Sequence, residues 1–393
     1  MAVLSASYHS KVTQRFSSRT NWDLGESSFA ETIRLARSSG RPLIDLTVSN
    51  PTTCGFLYDA DSILGPLSDP RALTYDPDPR GMLSARQAVA DYYTSHGASV
   101  DSDSVILTTS TSEAYGYLFR LLCNADDEIL VPQPSYPLFD YLADLEDVRL
   151  RPYPLFYDYG WWIDFARLEQ SITPRTRAIL LVHPNNPTGH ATQPPERKCL
   201  EEICQRHNLS LIVDEVFLDY PHPGVSLESF SQGPHPVLTF VLSGMSKIAG
   251  MPQMKVGWTV VSGPEDLRAE ALSRLEIIAD TFLSMNAPAQ YALPHWLASR
   301  ASIQEQILRR IASNLLTLDR HGMERLTSDG GWSVILRMPQ FGLGAEELLR
   351  QTGVIVHPGS FYGIPDSNRV VVSLITHEDS FSTGIAALAK VSK

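Results

Sequence analysis

Between about residues 84 and 275, short apolar runs alternate with segments of helical period, and this alternation restricts the chain to few architectures. SVILTTS, EILVPQPSY, RAILLVHPNNPTG, SLIVDEVF and VLTFVLSGMSK each carry a continuous apolar stretch of strand length, and SARQAVADYYTSHG, EAYGYLFRLLC and LEEICQRHNL between them have helical spacing. Strands with no polar face, joined by helices, predict an α/β fold with a mainly parallel sheet buried on both sides. ILRRIASNLLTLDRHGMERL then reads as a long amphipathic helix, and WSVILRM, VIVHPGS and RVVVSLI as strands of a smaller α+β lobe. Ahead of the alternation lie a polar, partly helical arm to about Gly40 and a short strand in RPLIDLTVSNPTTCG that ends in a proline turn. The expected division is residues 1–48 for the arm and part of the small domain, 49–278 for a large domain and 279–393 for the small one. A chain of 393 residues is long enough for two packed lobes.

Charge and cysteine usage narrow the functional classes. Forty-four acidic against 32 basic residues give a net charge of -12, so nothing draws the chain to nucleic acid or an anionic membrane. An anionic ligand must be held by local groups. The four cysteines are too few and too irregular for a disulfide framework, and Cys199 and Cys204 lack the partners of a metal site, which fits a reduced cytoplasmic setting. Apolar runs are interrupted by charge or proline well short of a bilayer's thickness. The first 22 residues contain Lys11, Arg15 and Arg19 without an acid, a composition shared with transit peptides; with Phe16 and Trp22 they read better as an arm that docks on another surface.

In open α/β sheets ligands bind beyond the carboxyl ends of the strands, so the residues that follow each apolar run are the informative ones. After SVILTT, Ser110-Thr111-Ser112-Glu113 is a capping-box pattern whose free amides and helix N-terminus can hold a phosphate. A cap without a ligand is the commoner use of such a motif. After AILLV, residues 183–189 (HPNNPTG) form a tight turn in which Asn186 offers an amide. After SLIV, Asp214-Glu215 places a carboxylate at a buried strand end, where it is costly unless a cation faces it. After VLTFVL, SGMSK sets Lys247 in a loop of small residues against apolar segments, a setting that favours the neutral amine of Schiff-base chemistry. Taken singly, each of these has a purely structural reading as a turn, a solvated acid or a surface lysine.

Taken together and in this order, the motifs resemble those of the class I and II aminotransferases of pyridoxal-phosphate (PLP) fold type I, and the resemblance covers nearly the whole chain. It implies that Lys247 forms the Schiff base with PLP and then moves the substrate's α-proton, and that Asp214 pairs with the pyridine nitrogen. It further implies that Asn186 bonds the phenolic oxygen, that Tyr136 stacks on the ring, and that the Thr111 and Ser112 amides, Ser246 and Lys255 hold the phosphate. Tyr75, in YDPDPRG, would reach in from a second subunit, which implies a homodimer with shared sites. Arg369, in SNRVVVS, would clamp the substrate carboxylate in bidentate fashion, and Asn50 would stand in the substrate loop.

Three departures limit the resemblance. Phe217 stands where relatives usually carry a tyrosine, which should raise the pKa of the Schiff base; Lys255 stands where many carry arginine; and Ser49-Asn50-Pro51 replaces a Gly-x-Pro pattern. The implied reaction transfers an amino group from an L-amino acid to a 2-oxo acid. C–S β-elimination, decarboxylation and cyclisation are alternatives on the same fold. A PLP-binding regulator would carry a DNA-binding domain, for which the arm is too short. Phe56, Tyr58, Tyr136 and Phe361 are compatible with an apolar or aromatic donor, and Arg15, Arg19 or Arg34 offers a second arginine for a dicarboxylate.

Overall fold

A computed structural model describes residues 16–339, 344–366 and 368–391. Its larger lobe is built on an eight-stranded sheet in the order Val105–Thr108, Gly257–Ser262, Thr239–Gly244, Ser210–Asp214, Thr176–Val182, Glu128–Gln133, Arg149–Tyr157 and Trp161–Ile163. The central pairings, from Thr239–Gly244 across to Arg149–Tyr157, are parallel. Gly257–Ser262 runs antiparallel to both of its neighbours, and Trp161–Ile163 closes the far edge as an antiparallel hairpin.

The absence of a polar face in these strands has a direct structural counterpart. Ile106, Ile129, Leu180, Ile212 and Phe240 point to one side of the sheet, under the helices Thr111–Leu122, Leu138–Leu145 and Glu265–Phe282. Their chain neighbours Leu107, Leu130, Leu181, Val213 and Val241 point to the other side, into the core shared with the helices Leu83–Ser95, Pro194–His207 and Ala287–Ser299. Each such side chain, fully buried, contributes about 1.5–3 kcal/mol before entropy is counted.

The smaller lobe carries an antiparallel sheet of Ser333–Arg337, Arg369–Ser373 and His357–Pro358, with the parallel pair Ile44–Asp45 and Val354–Ile355 beside it. Helices Ser28–Ser38, Ala345–Thr352 and Glu378–Val391 pack around these strands. The long helix Ala301–Arg320 joins the lobes: its buried Asn314 donates to the carbonyls of Leu374 and Thr376, both at 2.8 Å. Ala287–Ser299 packs on Leu83–Ser95, so the last large-lobe helix extends well beyond residue 278.

Several elements differ from the sequence pattern for identifiable reasons. Pro152 and Pro154 mask the strand Arg149–Tyr157, which is accommodated next to the sheet edge. Pro294 lies inside Ala287–Ser299 and interrupts its helical signal. VIVHPGS is not one strand but two short ones, which pair with different partners.

Candidate active site

The carboxyl ends of the parallel strands and the inner face of the small lobe enclose a cavity of about 380 Å³. Asp214 ends its strand between Val182 and Leu242 and enters the cavity only 7% exposed. Its Oδ2 accepts from the Tyr115 hydroxyl at 2.7 Å and its Oδ1 from the Val216 amide at 3.0 Å. Burial raises the carboxyl pKa, while these two donors and the nearby Lys247 pull it back down. Lys247 lies in the one-turn helix Met245–Ile248, directly after the next strand. Burial holds its pKa below the ordinary lysine value, against the opposing pull of Asp214. Its Nζ lies 5.2 Å from the ring centre of Trp332 and 5.8 Å from that of Phe217.

The phosphate-cradle motif folds largely as its sequence indicates. Ser110 Oγ caps the helix Thr111–Leu122 by accepting from the Glu113 amide at 3.2 Å. The reciprocal bond is displaced by one residue: Glu113 Oε2 accepts from the amide (2.7 Å) and hydroxyl (3.0 Å) of Thr109, not from the amide of Ser110. Thr111 and Ser112 therefore present first-turn amides to the cavity, which Ser246 and Lys255 also line. This convergence needs Gly257, because a Cβ there would lie 2.9 Å from Ser110 C and 3.0 Å from Thr111 N. In the HPNNPTG turn the Asn185 side chain accepts from Thr188 at 2.9 Å, and Asn186 reaches the cavity with a buried Oδ1 that has no partner among the described residues. Tyr136 is half exposed on the cavity wall.

Three other expected residues do not line this cavity. Tyr75 is 81% exposed on a separate surface of the large lobe. Asn50 turns its side chain back to cap Pro51–Thr53, accepting from the Thr52 amide at 3.1 Å and hydroxyl at 2.8 Å, and Thr47 and Ser49 take the cavity wall instead. Arg369 Nε lies 3.5 Å from Asp366 Oδ2, its Nη1 is buried with no partner among the described residues, and the residue lines outer pockets beyond the Gly359–Tyr362 turn. Residues 369, 371 and 373 share one face of their strand, with the Arg369 Cα about 6–7 Å along it from that of Val371. Val371 and Ser373 occupy the wall instead.

The other arginines considered from the sequence are engaged elsewhere. Arg19 pairs with Asp147 and Arg34 with Glu26, away from the cavity, while Lys11 and Arg15 lie outside the described residues. Phe361 packs on Phe29 and the Tyr58 hydroxyl donates to Gly250 O at 2.7 Å; neither residue lines the cavity.

Among the cavity residues that escaped the sequence reading are Tyr115, Trp332, Ser373 and His357. Tyr115 had a readable signal, since it follows Thr111 by one helical turn and therefore shares its face. The other three come from the distant small lobe, and local sequence carries no signal for them.

Residues 58–380 match the family described as aminotransferase class I and II. The chain belongs to the class I and II aminotransferases. Glutamate-pyruvate aminotransferase AlaA of Escherichia coli K12 is 30% identical over 270 residues, which cover 68% of this chain and 66%, just under two thirds, of that protein. The Haemophilus influenzae protein of the same name is 27% identical over 380 residues, covering 92% and 93%. Among solved structures, an aminotransferase from E. coli superposes with a TM-score of 0.83 at 25% identity, covering 96% of this chain and 98% of its own. Alanine aminotransferase from Pyrococcus furiosus superposes at 0.86 with 21% identity, covering 96% and 99%. The architecture of this aminotransferase is PLP fold type I, an α/β fold with a mainly parallel central sheet.

Proposed function

We propose that this aminotransferase uses pyridoxal 5'-phosphate to transfer an amino group from an L-amino acid to a 2-oxo acid, with Lys247 as the lysine that carries the cofactor. The observation that supports this reading best is the buried, pKa-depressed Lys247 facing the buried Asp214 at adjoining strand ends. The surrounding groups suit the cofactor. Thr111 and Ser112 amides, Ser246 and Lys255 would take the phosphate, the Asn186 side-chain N–H the phenolic oxygen, and Tyr136 one face of the ring.

Bound there, PLP supplies an electron sink conjugated to the carbon that bears the amino group. Asp214, whose carboxylate accepts from Tyr115 and Val216, would hold a proton on the ring nitrogen. Lys247 Nζ, on its short helix, removes the substrate's α-proton, and its low pKa keeps a fraction of the amine neutral for that task. Phe217, Trp332 and Val371 exclude water from the same space.

The relatives are named for glutamate with pyruvate, for alanine, and for arginine with pyruvate. We therefore take pyruvate and alanine as one substrate pair and favour transamination over β-elimination or decarboxylation. The exposed Tyr75 fits a homodimer in which each subunit completes the other's phosphate site. The four cysteines are free thiols, and no described helix is long and apolar enough to cross a membrane; a cytoplasmic location agrees with both. The test is the visible spectrum of the purified protein with PLP, alone and with single L-amino acids in the absence of oxo acid. A yellow band that bleaches with L-alanine or L-glutamate supports transamination. Ammonia and pyruvate release from cystathionine would favour the lyase, and the lack of any band would refute the PLP assignment.

A further inference from the structure

Lys247 stands on the helix Met245–Ile248, which is only four residues long. A single turn fixes several backbone dihedrals for very few hydrogen bonds, so it does not hold its shape unaided. Carbonyls of a last turn also lack partners within the helix and must find them outside it. Here side chains from distant parts of the chain supply them. The Tyr220 hydroxyl donates to Lys247 O at 2.6 Å and lies 3.1 Å from Ile248 O. Gln304 Nε2, on the long helix that joins the lobes, donates to Ile248 O at 3.0 Å, and the Tyr58 hydroxyl to Gly250 O at 2.7 Å.

Tyr220 does more than cap the turn. It is completely buried, and burial holds its hydroxyl pKa well above the ordinary tyrosine value, so the group remains a donor at every working pH. Its ring meets that of Trp332 edge-on with centroids 5.1 Å apart, and the Trp332 ring centre lies 5.2 Å from Lys247 Nζ. Its carbonyl accepts from the Gly331 amide at 2.8 Å, and a Cβ on Gly330 would lie 2.8 Å from that same oxygen. One residue thus touches both the backbone that carries Lys247 and the small-lobe segment that carries Trp332. Tyr220 does not line the cavity, so it reaches the chemistry only through these two.

We propose that Tyr220, supported by Gln304, is a positioning residue for the proton transfer: its hydroxyl fixes the backbone of Lys247 and its ring fixes Trp332, so that Lys247 Nζ is held where the α-proton is removed. Lysine's four-carbon stem is flexible, and placing its amine requires a fixed origin and a fixed wall. Tyr220 provides both.

The proposal rests on Lys247 being the cofactor lysine, and the experiment separates the two. Tyr220→Phe removes the hydroxyl and keeps the ring; Gln304→Leu removes the second donor. Tyr153→Phe is the control, because Tyr153 is as deeply buried and its hydroxyl likewise donates to a backbone carbonyl, Leu180 O at 3.0 Å, in the interior of the sheet. PLP is added to each cofactor-free protein and the appearance of the yellow band is timed. The band is then bleached with L-alanine and with L-alanine deuterated at Cα. In Tyr220→Phe, band formation and the saturating rate of bleaching should each fall roughly tenfold or more, because small misplacements of a reacting group are costly. The half-saturating alanine concentration should move less than about threefold, and the isotope effect should be at least as large as in wild type, which places the loss on proton removal. Gln304→Leu should slow both rates by about threefold or more, and it carries the test if Tyr220→Phe fails to fold. Tyr153→Phe should lower the melting temperature about as much as Tyr220→Phe and leave the kinetic readings near wild type. Wild-type rates in Tyr220→Phe, or losses no larger than those of Tyr153→Phe, overturn the positioning role. A wild-type protein without a yellow band, or a band that survives in Lys247→Ala, would instead overturn the assignment of Lys247 and the proposal with it.

Discussion

Tyr115→Phe tests how the site keeps a buried carboxylate ionised. The Tyr115 hydroxyl lies 2.7 Å from Asp214 Oδ2, fully inside the protein, and shares the carboxylate only with the Val216 amide and the field of Lys247. A hydrogen bond to a charged group contributes about 1.5–3 kcal/mol. The ionised form of Asp214 bears nearly all of that loss, because the protonated carboxyl needs the donor far less. Since Asp214 must ionise to hold the proton on the cofactor's ring nitrogen, the cost should appear in cofactor affinity. At about 1.4 kcal/mol per decade, the PLP dissociation constant should rise about 10- to 150-fold. Equilibrium binding followed by the absorbance of PLP measures it, with Asp214→Asn and the double variant completing the cycle. In the Asp214→Asn background the Tyr115 substitution should cost less than about threefold, since no charge remains to stabilise. Equal losses in both backgrounds would refute the electrostatic role, as would no loss in either, the outcome expected if the ring only packs against Phe139, whose centre lies 5.1 Å away.

Three further outcomes follow from the same geometry. The folded-state pKa of Asp214 is raised, so the folded protein retains a proton there that the unfolded chain releases; stability is favoured below the unfolded pKa and lost as pH rises through the folded one. Cofactor-free Asp214→Asn should therefore melt higher than wild type at neutral pH, and the gap should close toward about pH 4; a constant gap in thermal melts would contradict this. Phe217→Tyr adds a phenol next to Lys247 and should lower the pH at which the yellow chromophore loses its proton; an unchanged or raised titration midpoint would count against the role assigned to this position. Gly257→Ala pushes a Cβ against Ser110 and Thr111 backbone and should weaken PLP binding by roughly fivefold or more through overpacking costs of about 1–3 kcal/mol, with circular dichroism unchanged.

Much of the large lobe is legible without coordinates because its information is local. A strand buried on both faces must be continuously apolar, so SVILTT, EILV, AILLV, SLIV and VLTFVL announce a parallel sheet, and the residue after each run falls at the ligand-binding edge whatever the packing around it. That is why Thr111, Ser112, Asn186, Asp214, Ser246 and Lys247 could be named from spacing and resemblance, and why the structure brings them to one cavity. What the sequence could not determine is how far along a strand the opposing lobe meets that edge. Arg369 shares its strand face with Val371 and Ser373, and it is these two that line the cavity wall while Arg369 buries an unpartnered Nη1 beside Asp366. A shift of two residues preserves the alternation of side chains and so leaves no trace in the pattern. Asn50 likewise had its side chain claimed by a local cap, while Ser49 beside it faces the cavity. The chain by itself determined the sheet and the catalytic edge through local periodicity; the docking of the small lobe, a sum of contacts distant in sequence, decided which groups face the substrate.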